Sequence, residues 1–471
     1  MPKYDLVVLG SGPAGEKGAS TAAITGRRVA LIEREPVLGG ASTNTGTLPS
    51  KTLRETALAL SGLRARDLYG VDLSLRREAT IRDFMYHEEH VKKGERERVR
   101  RRLDRVNVDL FRGVAAFTGP HTVRVSGDAS GDTILEAEKI LIATGSTPYH
   151  PPDFDFKDPR IHDSDELLTI ERLPKILAVV GAGVIGCEYA CTFAALSCEV
   201  HLIDGRDCLL PFLDKEVSES LEEAIQNLGI QFHKKEQVTG CPITDGGQVK
   251  LTCESGKSVI ADQVLISAGR TSNTGHLNLE AAGVATGKRG LIPVNAYYQT
   301  NVPHIYAAGD VIGFPALSAT SAAQGRIAMC HAFSLVFEKD LAPLLPTGIY
   351  TIPEVSCVGE TEESLKEKNI GYITGKARYR NNARGEIIGD DYGFLKLLFR
   401  REDMKLLGVH VIGERASEVV HTGMMVMLTG NGADLLSRAC FNYPTLGDLY
   451  KDATHNALLS LHNLNKDGGA D

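Results

Sequence analysis

Residues 39–51 read GGASTNTGTLPSK, two glycines, a run of small polar side chains and a Pro-Ser-Lys ending that together look like part of a redox site. Yet the segment holds no cysteine. Its hydroxyl side chains form neither a disulfide nor a thiolate, so the segment offers no thiol chemistry of its own. Two other motifs carry chemistry by their spacing. Gly10, Gly12 and Gly15 lie in GSGPAG, with Glu33 a further 18 residues on; Gly181, Gly183 and Gly186 lie in GAGVIG, with Asp204 again 18 residues on. Alone, a GxGxxG is weak. Placed after an apolar run, before an Ala-rich run and ahead of an acid, each predicts a dinucleotide site. The glycines allow a tight turn and close approach to a pyrophosphate, the helix N-terminus favours its negative charge, and the acid holds ribose hydroxyls. Two such sites in one chain point to FAD and a nicotinamide cofactor, NAD or NADP.

The elements that must position these residues are legible as two βαβ units 171 residues apart, YDLVVLGSGPAGEKGASTAAITGRRVALIERE and KILAVVGAGVIGCEYACTFAALSCEVHLIDGR. The segments KILIATGSTPYHPP and ADQVLISAGRTSN follow the two units in matching places, so the duplication extends beyond the fingerprints. A third strand-like segment, HIYAAGDVIGFPALSATSAAQGR, puts Asp310 at the C-terminal edge of a parallel sheet, where ligands of such folds bind. From about Pro346 the pattern changes to alternating strands such as GFLKLLFR and GVHVIGER followed by helices, a separate α+β domain. The fold class expected is α/β, with two Rossmann-like dinucleotide-binding domains and a C-terminal α+β domain.

Bulk properties narrow the classes. At 471 residues and 42% hydrophobic, the chain has material for two to four domains. A net charge of -8 and a pI near 6.0 give no support for a nucleic-acid partner. The mixed run KKGERERVRRRLDR at 92–105 reads as a solvated helix face using i,i+4 charge pairs. No apolar stretch approaches the roughly 20 residues that span a bilayer, and no targeting segment precedes Tyr4, so no membrane partner and a cytoplasmic location are expected. The nine cysteines are scattered without metal-ligand spacing, which suits incidental thiols in a reducing compartment, and no metal is expected.

Taken in order along nearly the whole chain, GSGPAG, GG followed by PSK, ATGSTP, GAGVIG, AGRTSN, AAGD and TIPEVSCVG resemble the class-I pyridine nucleotide-disulfide oxidoreductases, the flavoprotein family of dihydrolipoamide dehydrogenase, glutathione reductase and mercuric reductase. The resemblance implies an FAD-binding domain at 1–150, an NAD(P)-binding domain at 151–275, a central domain at 276–345 completing the FAD site, and a C-terminal domain at 346–471 that makes a homodimer. The departures are informative. Disulfide reductases of the family carry GGxCxxxxCxPSK, whereas Ser42 and Thr47 stand in the two cysteine places; they end in HPTxxE, whereas Tyr443 and Asp448 stand for the His and Glu in FNYPTLGD. A phenol is a poor proton shuttle at neutral pH beside an imidazole. Within the family, GTLPSK, TPYHPPDFDF, IHDSDELL, VGAGVIGCEYA, PTGIYTIPEVS and the ending NYPT resemble the soluble pyridine nucleotide transhydrogenases.

That likeness implies FAD-dependent hydride exchange between NADPH and NAD⁺ by a ping-pong route through flavin N5, with an NAD(P)H:quinone or dye reductase as the alternative. It places Lys51 near N5, paired with Glu188. It also assigns Glu33 to the adenosine ribose and Gly113 and Ala115 to the adenine. Thr144 and Gly145 lie along the cofactor, Asp310 meets its ribityl and pyrophosphate, and Gly309 is a further cofactor-binding residue. Ala316 and Leu317 begin a helix facing the flavin, and Gly40, Ser42, Gly269 and Arg270 complete the expected contacts. Val184 stands where glutathione reductases place a tyrosine over the flavin, and His455 is read as a helix-surface or interface residue. In HLIDGRD, Asp204 can accept from ribose hydroxyls while Arg206 can grip a 2′-phosphate, a mixed signature that dual use of NAD and NADP predicts.

Overall fold

A computed structural model describes residues 1–62, 81–127, 131–338 and 340–467. The strand Lys3–Leu9 is buried on both faces, and its alternate residues enter different cores. Val7 and Leu9 pack with Ala30, Ile32, Ile140 and Ile142, while Leu6 and Val8 pack with Val29, Leu31 and Leu141. Such two-sided burial is the mark of a parallel sheet covered on both faces. Its parallel part runs Asp109–Arg112, Val29–Glu33, Lys3–Leu9, Thr133–Ile142 and Ile305–Ala307. The last of these comes from far along the chain and pairs with the C-terminal half of Thr133–Ile142, whose N-terminal half continues into an antiparallel pair of strands, Thr122–Ser126 and Val114–Gly119.

The second unit repeats the design. A five-stranded parallel sheet runs Gln231–Lys234, Glu199–Asp204, Ile176–Val180, Gln263–Ile266 and Ile161–His162. The two sheets are joined by a short antiparallel pair, Ser146–Pro148 with Arg270–Ser272. A third, antiparallel sheet orders Thr347–Ile349, Val355–Gly359, Leu406–Ile412, Phe394–Arg400 and Tyr372–Arg378, packed with the helices Ala416–Leu428 and Leu449–Asp467. The expected α/β class and the α+β character of the C-terminal part are both observed.

Two helices cross tightly over the first sheet. In Ser318–Ala332, a Cβ on Gly325 would stand 2.1 Å from the Ala14 carbonyl oxygen of Pro13–Ala23, so only glycine allows this approach. The crossing packs the start of Pro13–Ala23 against the middle of Ser318–Ala332. The charged run at 92–105 is helical within Ile81–Arg105, and Arg100 pairs with Asp104 as an i,i+4 reading expects. It is more than a solvated face, however. Arg102 reaches the buried Glu16 of Pro13–Ala23 at 2.5 Å, and Arg96 donates to the Asn44 side chain at 2.7 Å.

The nucleotide-binding unit and the C-terminal sheet are clasped by a buried ionic cluster. Lys396 lies 2.8 Å from Asp214, 2.6 Å from Glu362 and 3.1 Å from Glu216, and Lys376 pairs with Glu216. Burial alone would raise the Glu362 carboxyl; the Lys396 ammonium and the Tyr372 hydroxyl more than offset it and bring it down to about 2. A carboxylate depressed on folding adds stability above its unfolded pKa, near 4.3, and loses that contribution as pH falls through its folded value. Lys396→Met should therefore cost about 3–5 kcal/mol at neutral pH, because it strands the buried Asp214 carboxylate. In denaturation between pH 5 and pH 2, the variant should also lose less stability than the parent.

Candidate functional site

Both fingerprints fold into the same turn. The N–H of Gly10 donates to the Ile32 carbonyl and that of Gly181 to the Ile203 carbonyl, both at 2.8 Å. The third glycine of each makes the helix-to-strand contact: a Cβ on Gly15 or on Gly186 would stand 1.9 Å from the carbonyl oxygen of Gly10 or Gly181. The middle glycines differ in kind. A Cβ on Gly183 would meet nothing within 4 Å, and one on Gly12 only the Cα of Gly40 at 3.9 Å, so each faces open space at the head of a helix. That space, lined by unpaired N–H groups of the first helical turn, is where a pyrophosphate fits.

Around the first fingerprint the structure gathers most of the residues expected for FAD. Glu33 is buried and accepts from the Ser11 N–H (2.9 Å) and hydroxyl (2.6 Å) through Oε2 and from the Glu35 N–H (2.9 Å) through Oε1. Counting roughly four acceptor positions on a carboxylate, Oε1 keeps one for a ribose hydroxyl. Gly113 donates to the Glu33 carbonyl at 3.0 Å and so adjoins it. Ala115 lies on the next strand with its methyl in the apolar core, leaving only its backbone for a ligand. Thr144 follows the strand Thr133–Ile142, and its hydroxyl is buried with no partner among the described residues. Next in the chain, Gly145 accepts from the Asn273 N–H at 3.0 Å. Asp310 accepts from the Ser146 hydroxyl at 2.8 Å, and Arg270 donates to that hydroxyl and to the Ser146 carbonyl, both at 2.8 Å. Gly309 is fixed by its N–H to the Gln324 side chain at 2.8 Å, and Gly269 receives the Tyr149 N–H at 2.9 Å. The orphaned Thr144 hydroxyl, the open space at Gly12 and the free acceptor on Glu33 fit FAD.

The helix expected to begin at Ala316 and Leu317 begins instead at Ser318. Leu317 is its extended cap, and Ala316 precedes it at φ +49. Ser42, in the short helix Gly40–Asn44, meets Ser318 with the two hydroxyl oxygens 2.8 Å apart, joining the 39–51 loop to the start of that helix. All nine cysteines are unpaired, and burial pushes the Cys191 thiol up to about 12.

Lys51 lies in the first turns of Thr47–Ser61, and its ammonium is 2.5 Å from Glu188, a carboxylate on Val184–Ala195 that is only 5% exposed. The second oxygen of Glu188 accepts from the Tyr350 N–H at 2.9 Å, and the Tyr350 ring lies 4.9 Å from the ammonium in cation–π geometry. Tyr350 is a site residue that sequence reasoning missed: its contact with Glu188 is made by backbone, which leaves no mark on residue type. Arg54, one helical turn beyond Lys51, repeats the link by donating to the Thr351 carbonyl at 2.9 Å.

At the second fingerprint, Asp204 is fully engaged. Its Oδ1 accepts from the Arg206 N–H and Nε, both at 2.8 Å; its Oδ2 accepts from the Ala182 N–H at 2.6 Å and from Arg206 Nη2 at 2.7 Å. Burial pushes this carboxyl up, and the Arg206 guanidinium with the two N–H groups more than offsets it, holding it below the usual carboxylate range. Val184 opens the helix beside this site, whereas Tyr443 is 77% exposed and His455 is exposed on the last helix, each in the C-terminal part of the chain.

Two family models match the chain: pyridine nucleotide-disulphide oxidoreductase over residues 4–327, and the dimerisation domain of that name over residues 345–454. A soluble pyridine nucleotide transhydrogenase of Mycobacterium tuberculosis (strain ATCC 25177 / H37Ra) is 46% identical over 467 residues, covering 99% of each chain. One from Erwinia tasmaniensis is 41% identical over 461 residues, covering 97% of this chain and 98% of the other. Among solved structures, LpdA of Mycobacterium tuberculosis superposes with a TM-score of 0.89 at 25% identity, covering 97% of this chain and 99% of that one. The HOCl-induced flavoprotein disulfide reductase RclA from Escherichia coli gives 0.87 at 26%, covering 96% and 99%.

The contrast between the glycines of the second fingerprint yields a test. Gly183→Val places its side chain in open space and should leave thermal stability nearly unchanged while weakening nicotinamide nucleotide binding at least about tenfold, an effect of about 1.4 kcal/mol. Gly186→Val drives backbone against backbone and should cost about 2–4 kcal/mol in denaturant melts.

Proposed function

The chain belongs to the pyridine nucleotide-disulphide oxidoreductase family and is by that membership an oxidoreductase that binds FAD and nicotinamide dinucleotides, and on that footing we propose that it exchanges hydride between NADPH and NAD⁺. The single observation that carries the reading is the pairing of two intact dinucleotide sites with a 39–51 loop in which Ser42 touches Ser318 and no cysteine stands. FAD, when bound, supplies a centre that takes a hydride from one nicotinamide nucleotide and yields it to another, so a single nicotinamide pocket used in turn suffices.

The chain's own residues bind, orient and set charge. Gly12, Thr144, Glu33 and Asp310 would hold FAD. Gly183 and the start of Val184–Ala195 would take the nicotinamide nucleotide's pyrophosphate, with Asp204 and Arg206 at its adenosine end. Lys51 brings one cation to the junction of the two sites, and Glu188 with Tyr350 fixes its ammonium there. A fixed cation beside a group that gains negative charge on reduction favours the reduced form, and preorganisation spares the cost of reorienting solvent. The C-terminal sheet and its helices match the family's dimerisation domain, which supports a homodimer. Among the described residues no helix is long and apolar enough to cross a membrane.

The test is an anaerobic assay of the flavin-loaded protein with NADPH and thio-NAD⁺, followed at the thio-NADH absorbance. Exchange with parallel double-reciprocal lines is expected for one pocket visited in turn. No exchange, together with fast quinone reduction, would overturn the reading in favour of a quinone or dye reductase. Lys51→Met should slow exchange by about 10²-fold, corresponding to one lost electrostatic contact in the transition state.

A further inference from the structure

Asp204 and Arg206 present a problem for any nucleotide that arrives at them. A carboxylate has roughly four acceptor positions, and those of Asp204 are filled by the Arg206 N–H, Nε and Nη2 and by the Ala182 N–H. The Arg206 guanidinium is bound to that carboxylate by two charge-assisted bonds, at 2.8 and 2.7 Å. As it stands, then, the pair offers no vacant acceptor to an adenosine ribose diol, and it already supplies the guanidinium with the anion that a 2′-phosphate would otherwise provide. The corresponding acid of the other fingerprint, Glu33, has no arginine on it among the described residues and keeps an acceptor free.

Only one partner of the pair can move. The Asp204 side chain is 8% exposed and is tied by two backbone N–H groups, whereas that of Arg206 is 45% exposed. The backbone around both is pinned to the neighbouring loop, since the Lys235 N–H donates to the Arg206 carbonyl and the Glu236 N–H to the Asp204 carbonyl, each at 3.1 Å. A nucleotide can therefore be accommodated by rotation of the Arg206 side chain alone.

We propose that Asp204 and Arg206 are placeholders for each other, so that their ion pair competes with both nucleotides: NAD must displace the guanidinium to reach the Asp204 carboxylate, and NADP must draw the guanidinium away to meet its 2′-phosphate. The inference rests on the dual use of NAD and NADP proposed above and gives it a specific control. Either nucleotide gives up the same two bonds, so neither gains the full strength of its own partner, and a site that serves both in turn is kept from holding either too tightly. Removing one member of the pair frees the other. The result is reciprocal, which separates it from the simpler view that each residue serves one nucleotide independently.

The experiment measures equilibrium binding of NAD⁺ and NADP⁺ to the oxidised, flavin-loaded protein, where no reaction follows, with 5′-ADP and 2′,5′-ADP as probes that lack the nicotinamide. Arg206→Gln should weaken NADP⁺ and 2′,5′-ADP at least about tenfold and tighten NAD⁺ and 5′-ADP about threefold, because the competitor for Asp204 is gone. Asp204→Asn should do the reverse, tightening NADP⁺ and 2′,5′-ADP while weakening NAD⁺ and 5′-ADP. Either variant carries the test if the other fails to fold. If the parent protein binds both nucleotides and neither variant tightens anything, the placeholder idea is overturned while the exchange reading stands. If the parent binds only one nucleotide, the dual-use reading fails first.

Discussion

A nearly buried carboxylate must have its charge met by hydrogen bonds or by a cation, and Glu188 meets its charge with a cation from a different part of the fold. Glu188 sits on the helix that opens the second nucleotide site, Lys51 on a helix beside the first, and the Tyr350 N–H that holds the other Glu188 oxygen comes from the C-terminal part of the chain. Leaving Glu188 unpaired would cost several kcal/mol, so the contact constrains where all three parts lie. Arg54 strengthens the same junction from one turn further along. The charge that the proposed exchange uses and a structural tie are thus the same interaction, which gives the Lys51 ammonium a defined position.

The remainder of the arrangement follows from sheet edges and helix starts. Each parallel sheet ends where a glycine turn releases a helix, and each leaves open space at its middle glycine. The first site has a second helix beside it, packed in at its middle by the Gly325–Ala14 contact, and Ser42 touches the start of that helix at Ser318. The 39–51 segment thus meets that helix through a contact between two hydroxyls. The ionic clasp of Lys396 then fixes the nucleotide-binding unit to the C-terminal sheet, so the second site cannot drift from that sheet without exposing buried charge.

Much of this was legible in the residues. Runs such as YDLVVLG and KILAVVG, buried on both faces, are continuous apolar strands, and the spacing from the third glycine to Glu33 or Asp204 is the length of one helix and one strand. What escaped has a common physical cause. Tyr350 acts on Glu188 through a backbone N–H across 162 residues, and a backbone donor is the same in every non-proline residue. The start of the Ser318 helix was missed by two residues because Ala316 takes a left-handed φ that its side chain does not announce. Arg102 looked like a solvated charge because its partner, Glu16, lies on a different helix 86 residues away. Asp204 and Arg206 were visible as a mixed signature, but not that each occupies the other.

If hydride exchange runs through the flavin alone, the flavin is the one group of the protein that stores electrons between the two nucleotides. An anaerobic reductive titration of the flavin-loaded protein counts them directly. Uptake of two electrons per flavin, with no long-wavelength thiolate–flavin absorbance at any stage, is the predicted result. Uptake of four electrons per flavin, or the appearance of that absorbance, would contradict it.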